Sequence, residues 1–195
     1  AIKKIHPEAV TVFIGPCIAK KAEAKEQDIR DAVDYVLTFQ EVKELFDLAE
    51  IDFSKIPEDL RDHSSMAGRI YARTGGVSEA VQYTLNRLNP DRKIKLKAAQ
   101  ANGAIECKRL LKEITEGDIK ANFMEGMGCI GGCVGGPKAI IPYKEGTEHV
   151  NEYAGLAGYK SPIDNPHIIE LLNRLGFDTI SDFLEGDNLF IRKFN

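Results

Sequence analysis

The sequence predicts an α/β architecture, a mainly parallel sheet flanked by helices, followed by a helical C-terminal segment. Short apolar or β-branched runs recur at 10–14, 35–38, 94–99 and 121–124. Segments with helical periodicity separate them. Alternation of this kind builds parallel pairing, because two parallel strands need a crossover of a dozen or more residues between them.

Taken in order, Val10-Thr-Val-Phe-Ile14 is halted by Gly15-Pro16, a pair that turns the chain and removes a ladder donor. Residues 20–31 are charged and rich in helix formers, and read as a surface helix. Tyr35-Val-Leu-Thr38 reads as the second strand. Thr38 then stands three residues before Glu41, the spacing of a capping box, and Val42, Leu45, Phe46 and Leu48 follow at helical spacing. Residues 52–73, with Pro57, Ser64, Ser65 and Gly68, read mostly as loop. Thr74-Gly75-Gly76 opens a helix over 77–88 that stops before Pro90. The third strand, 94–99, leads to a helix at 103–114. The fourth, 121–124, leads into Cys129-Ile-Gly-Gly-Cys133-Val-Gly-Gly-Pro137. Residues 145–158 and 165–175 turn helical again, before a short apolar, basic tail. The chain thus divides into an α/β core, 1–140, carrying the cysteine motifs, and a mostly helical segment, 141–195.

Bulk properties narrow the function. A chain of 195 residues buries a sizeable core, and 43% hydrophobic with 29% charged residues is ordinary for a soluble globular protein. A net charge of −4 gives no electrostatic reason to expect nucleic acid or an anionic membrane as partner. No apolar run nears the roughly 20 residues of a membrane helix. The opening residues, Ala1 to Pro7, lack both a signal-peptide pattern and an initiating Met, so the chain reads as a piece of a longer protein. Cys17, Cys107, Cys129 and Cys133 are too few and too unevenly spaced for a secreted disulfide framework. They suggest a reducing, cytoplasmic setting, where clustered thiols mean metal binding or catalysis.

Cys129 and Cys133 stand four apart, so a helical segment between them would put both sulfurs on one face. Gly131, Gly132, Gly135 and Gly136 would let backbone approach a bulky group and offer it amide donors. Soft thiolates at this spacing select Zn, Cu(I) or iron–sulfur clusters. The competing reading is a Gly-rich turn that buries two small apolar thiols. Cys17 follows a strand at a loop leading to a helix, and Lys20 could set a cation beside an anion bound there; a packed thiol next to a solvated lysine is the alternative. Thr74-Gly75-Gly76 would present free amides at a helix N-terminus, an anion site or an ordinary N-cap turn. Cys107, on an amphipathic helix, reads as a packing residue. His6, His63, His149 and His167 show no ligand spacing, and no GxSxG, Walker A or GxGxxG follows a strand.

Together these residues resemble the iron-only hydrogenase catalytic domain. Phe13-Ile-Gly-Pro-Cys17-Ile-Ala-Lys20-Lys-Ala-Glu23 is similar to that family's second signature, MPCxxKxxE. Phe123-Met-Glu125-Gly-Met127-Gly-Cys129-Ile-Gly-Gly-Cys133-Val-Gly-Gly is similar to its third, ExMxCxxGCxxG. Between them, the segments Asp34 to Glu41 and Ala72 to Ala80 resemble family segments in the same order. The resemblance spans residues 8–140.

It implies part of the iron-only hydrogenase catalytic-domain fold and reversible reduction of protons to hydrogen. It also implies an H-cluster, a 4Fe-4S cubane joined through one cysteine sulfur to a di-iron site. Carried onto this chain, Cys17, Cys129 and Cys133 would be cubane ligands and Cys133 the bridge. Lys20 would hydrogen-bond a cyanide and Met127 would pack its thioether against the di-iron site, while Cys107 matches no family ligand. A ferredoxin or fused iron–sulfur domains would supply electrons, and the upstream part of the same protein would complete the site.

The chain departs from the pattern in three places. The first signature, a TSCCP-like segment, is not in the chain, so a fourth cubane ligand is missing and the chain alone is expected to be apo or partly loaded, and inactive. Gly15 stands where the family has Met. Gly135-Gly136-Pro137-Lys138 replaces GGGQP. The latter two resemble a sensory branch, so a hydrogen- or redox-sensing module is one alternative. A cubane-only iron–sulfur protein is another, disfavoured by Lys20 and Met127.

Overall fold

The computed structural model describes residues 1–57, 63–186 and 189–192. Helix α1 (Ile2–Ile5) precedes strand β1 (Val12–Ile14), which runs parallel to β2 (Tyr35–Leu37) with Val12 opposite Tyr35 and Ile14 opposite Leu37. Strands β3 (Ala98–Asn102) and β4 (Phe123–Met127) form a second parallel pair, Ala98 facing Phe123 and Asn102 facing Met127. The pairing is parallel, as the alternation of elements predicts. Among the described residues it is divided into two ladders of two strands each. Two-stranded ladders are marginal in water, so each depends on the helices laid against it.

Between β1 and β2 the expected helix 20–31 contracts to α2 (Ala19–Glu23), followed by successive turns such as Glu26 N–H to Glu23 O and Ala32 N–H to Ile29 O. The stretch 25–31 carries Ile29 as its single large apolar side chain, too little to anchor a helix by packing. After β2 the capping box forms as read. Thr38 Oγ1 accepts from the Glu41 N–H, Glu41 accepts from the Thr38 N–H, and α3 (Phe39–Leu48) follows.

The segment 52–73 is more ordered than a loop. It holds a 3-10 turn (Phe53–Lys55), α4 (Met66–Arg69) capped by Ser65, and a second 3-10 turn (Ile70–Ala72). Ala67 and Ile70 are buried there, which supplies the packing that composition did not advertise. Residues 58–62 lie outside the described residues. Helix α5 (Gly76–Leu88) follows Gly75, whose φ of 83° is the left-handed conformation that glycine adopts without penalty.

The third and fourth strands begin later than their hydrophobic runs. Asn122 Oδ1 accepts from the Lys97 N–H and its Nδ2 donates to Lys95 O, so a side chain takes over the bonds that would extend the ladder. Pairing starts at Ala98 and Phe123 and runs on through Asn102 and Met127. Helix α6 (Ala104–Glu116) packs on β3 and β4, and α5 packs on β4. The C-terminal stretch forms α7 (Tyr143–Gly155), α8 (Pro166–Leu175), with Asn165 as its cap, and α9 (Ile180–Glu185). The last was unexpected, although Thr179 and Asp182 form a second capping box before it. Helix α7 lies against α4 and the 3-10 turn Cys133–Gly135. Buried Ala67, Ile70, Ala80, Ala101, Leu110 and Ala154 mark the core within this group.

Candidate functional site

Two loops leave the C-terminal ends of β1 and β4 and meet. The first is Gly15-Pro16-Cys17. The Gly15 N–H extends the ladder to Leu37 O at 3.1 Å. A Cβ built on Gly15 would lie 2.9 Å from Cε1 of Phe13, so that ring already fills the space where a larger side chain would start. Pro16 O accepts from the Lys138 N–H at 3.0 Å, and a Cβ on Gly136 would collide with Pro16 O at 2.5 Å. Glycine at 136 therefore lets the Cys17 loop close onto the segment after Cys133.

The second loop carries Cys129 and Cys133, and the segment between them is a turn. Gly132 N–H donates to Cys129 O at 3.0 Å, and Gly131 and Gly132 have φ of 88° and 84°. Two consecutive left-handed residues end any right-handed helix, so the helical placement of the two sulfurs gives way to a glycine corner. A 3-10 turn (Cys133–Gly135) follows.

The electrostatics of Cys133 report which groups are gathered. Packing around its sulfur pushes its thiol up from the usual range, Cys17 and Cys129 push it the same way, and Lys20 pulls it down. The two cysteine motifs and the lysine therefore act on one another across the junction of the two loops. All four cysteines are free thiols. Cys107 stands apart from the three, its Sγ 3.4 Å from Met127 O and 4.0 Å from Ala101 O, in keeping with a packing role. Met127, half-buried, ends β4 immediately before the turn. Lys20 is ion-paired with Glu23, which also accepts from Arg192 Nη1 at 3.1 Å; Arg192 in turn holds Asp28 through Nε at 2.7 Å.

The glycine corner is fastened from behind. Thr74 N–H donates to Gly131 O at 3.1 Å, and Asn102 Oδ1 accepts from both Gly131 N–H (2.7 Å) and Thr74 Oγ1 (2.9 Å). Glu125, 4% exposed, accepts from Gly75 N–H (2.7 Å), Ser78 N–H (2.7 Å) and Ser78 Oγ (2.6 Å). The amides of Gly75 and Ser78, at the start of α5, do bind an anion, as a helix N-terminus does, and that anion is the protein's own Glu125; Thr74 N–H is taken by Gly131 O and Gly76 N–H by Arg73 O. Sequence reading passed over Glu125, though it lies inside a quoted motif, and Asn102, which carries no local signal.

A cavity of about 660 Å³ adjoins Cys133, walled by residues including Ile14, Pro16, Phe39, Phe46, Val134 and Ile141. Among the described residues no group of three or more His, Cys, Asp or Glu converges on a single ion. The backbone beside Cys129 is open at Gly128, where an added Cβ meets nothing within 4 Å.

Comparison with known proteins settles the family. The family described as iron-only hydrogenase large subunit, C-terminal domain, matches residues 1–137. This chain belongs to that family. It is 30% identical over 177 residues to the periplasmic Fe hydrogenase large subunit of Nitratidesulfovibrio vulgaris, an alignment covering 71% of this chain and 41% of that protein. To iron hydrogenase 1 of Clostridium pasteurianum it is 30% identical over 185 residues, covering 77% of this chain and 31% of the relative. The chain thus spans less than half of these curated hydrogenases.

In fold it matches FeFe-hydrogenase HydA1 from Chlamydomonas reinhardtii with a TM-score of 0.59 at 21% identity, over 84% of this chain and 58% of that one. A HydA structure concerned with stepwise H-cluster assembly in that protein gives a TM-score of 0.58 at 21% identity, with the same coverage. The family's named members are hydrogenases, oxidoreductases of hydrogen. No helix among the described residues is long and apolar enough to cross a membrane.

Proposed function

We propose that this chain is the part of an iron-only hydrogenase that gives three thiolates, Cys17, Cys129 and Cys133, to a 4Fe-4S cluster, with Cys133 bridging to a di-iron site. One observation carries the reading: Lys138 N–H donates to Pro16 O at 3.0 Å, with Gly136 closed against the same carbonyl, which joins the Cys17 loop to the Cys129–Cys133 loop from far apart in sequence. When bound, such a cluster supplies the electron transfer and open iron position that interconvert protons, electrons and hydrogen.

The chain's own residues hold and shield it. Lys20 offers an ammonium to an anionic ligand, a charge-assisted hydrogen bond stronger than a neutral one. Met127 packs a soft thioether at the end of β4, and the cavity beside Cys133, itself an exposed residue, offers apolar walls to a bound group. Cys107, engaged with Met127 O, is not a ligand.

Three thiols leave one corner of a cubane without a ligand from this chain. The upstream part of the same protein supplies it, and a ferredoxin or fused iron–sulfur domains supply electrons. We take this chain by itself to hold at most a partial cluster and not to turn over. Its free thiols suit a reducing compartment, which we take to be the cytoplasm.

Anaerobic reconstitution of the chain with iron and sulfide tests the reading. Iron content below a full cubane is expected, with clear loss in Cys17→Ala, Cys129→Ala and Cys133→Ala and none in Cys107→Ala. Equal iron in wild type and all four variants would rule out ligation by these thiols.

A further inference from the structure

We propose that Asn102 is a positioning residue for the cysteine turn: its single carbonyl oxygen fixes the Gly131 corner and so holds Cys129 and Cys133 in place before any metal arrives. The purpose of this anchor rests on the cluster reading above; its geometry does not.

Asn102 is the last residue of β3, level with Met127 across the ladder. Its backbone is itself held, the N–H donating to Glu106 Oε2 at 2.8 Å. From that fixed point Oδ1 receives Gly131 N–H at 2.7 Å and Thr74 Oγ1 at 2.9 Å, while Thr74 N–H returns a bond to Gly131 O. Three chain segments, β3, the start of α5 and the cysteine turn, therefore share one acceptor.

Close packing supports the same view independently of the hydrogen bonds. A Cβ on Gly132 would lie 2.7 Å from Thr74 N, and one on Gly131 would lie 2.6 Å from Cδ2 of Tyr143. The corner is seated between Thr74 and Tyr143 with no room to shift toward either. Glu125 secures the other side of this seat by clamping Gly75 and Ser78 to β4. A two-glycine turn has the largest backbone entropy of any pair of residues. Without an anchor the two thiols would sample many separations, and a metal would have to order them on binding.

The test needs no loaded cluster. In the metal-free chain, alkylation rates of Cys129 and Cys133 are measured by peptide mass spectrometry, with Cys107 as the reference inside the same molecule. Asn102→Ala is expected to speed Cys129 and Cys133 about tenfold relative to Cys107, the scale of losing two hydrogen bonds at a partly buried acceptor. Amide exchange at Gly131 should accelerate in parallel. Asn102→Asp, which keeps an oxygen acceptor at the same place, should return both readouts to within about twofold of wild type. Thr74→Val, which removes one of the two donors, should give a smaller rise.

Unchanged ratios in Asn102→Ala would overturn the proposal. So would an equal rise at all three cysteines, because Cys107 sits between α6 and β4 and would report general loosening. Failure of the cluster reading has a different mark: the wild-type chain takes up no iron, whatever its alkylation ratios show.

Discussion

The two strand pairs share a parallel geometry and differ in what covers them. In β3–β4, Ala101 is 1% and Glu125 4% exposed, under α5 and α6. In β1–β2, all three β1 residues are exposed, Val12 at 46% and Ile14 at 50%, and Tyr35 at 62%. Apolar strand residues left this open are unusual, because parallel strands are normally covered on both faces. The β3–β4 pair is covered by helices of the same chain, whereas the β1–β2 pair leaves apolar strand surface open among the described residues. The proposed ligands straddle this divide, Cys129 and Cys133 on the covered side and Cys17 on the open one.

The comparison breaks most readily at Glu125. Glu125→Ala strips the acceptor from two buried backbone amides and a hydroxyl, and should lower stability by about 3 kcal/mol in urea unfolding. A loss under about 1 kcal/mol would mean the covered pair is no better secured than the open one. Asn165 offers a smaller calibration away from both pairs. It is fully buried, and donates to His63 O while accepting from His167 N–H. Asn165→Ala should cost about 1–2 kcal/mol, read from the same unfolding curves.

Acid should act on the open pair. Asp34, next to β2, is held at about 2 chiefly by Lys3 and then by Thr11, and Glu41, after β2, at about 2 chiefly by Lys21 and then by Thr38. Both folded values lie below the ordinary 3.8 and 4.5. Their contribution is therefore complete above the ordinary values and is lost as pH falls toward the folded ones. The urea midpoint should fall between about pH 5 and pH 2, and Asp34→Asn should flatten that slope. An unchanged slope would free β2 from these carboxylates. The smallest effect is expected at Tyr35. Tyr35→Ser should change stability by less than about 0.5 kcal/mol while reducing binding of an apolar dye, since that side chain is 62% exposed. A large loss of stability would show that the open pair is packed after all.

What the sequence revealed followed the range of each interaction. The Thr38–Glu41 capping box is local, and it formed as read. The signatures around Cys17 and Cys129 identified the family, because motif order survives without knowledge of contacts. The helix expected over 20–31 failed for lack of apolar partners, a tertiary matter that propensity does not see. The start of β3 was displaced by the side chain of Asn122, the residue just before β4. Glu125 and Asn102 meet Gly75 and Gly131 across long stretches of chain, and nothing in the residues nearby announces either partnership. The helix imagined between Cys129 and Cys133 was correctable in principle, since Gly131-Gly132 is a turn signal in its own right.

The cluster assignment stands most directly on Cys17, the ligand contributed by the open pair. Electron paramagnetic resonance of the anaerobically reconstituted chain, read both oxidised and reduced, should show the signal of a partial iron–sulfur cluster in wild type that is lost or reshaped in Cys17→Ala. The same signal, undiminished, in both proteins would contradict the account.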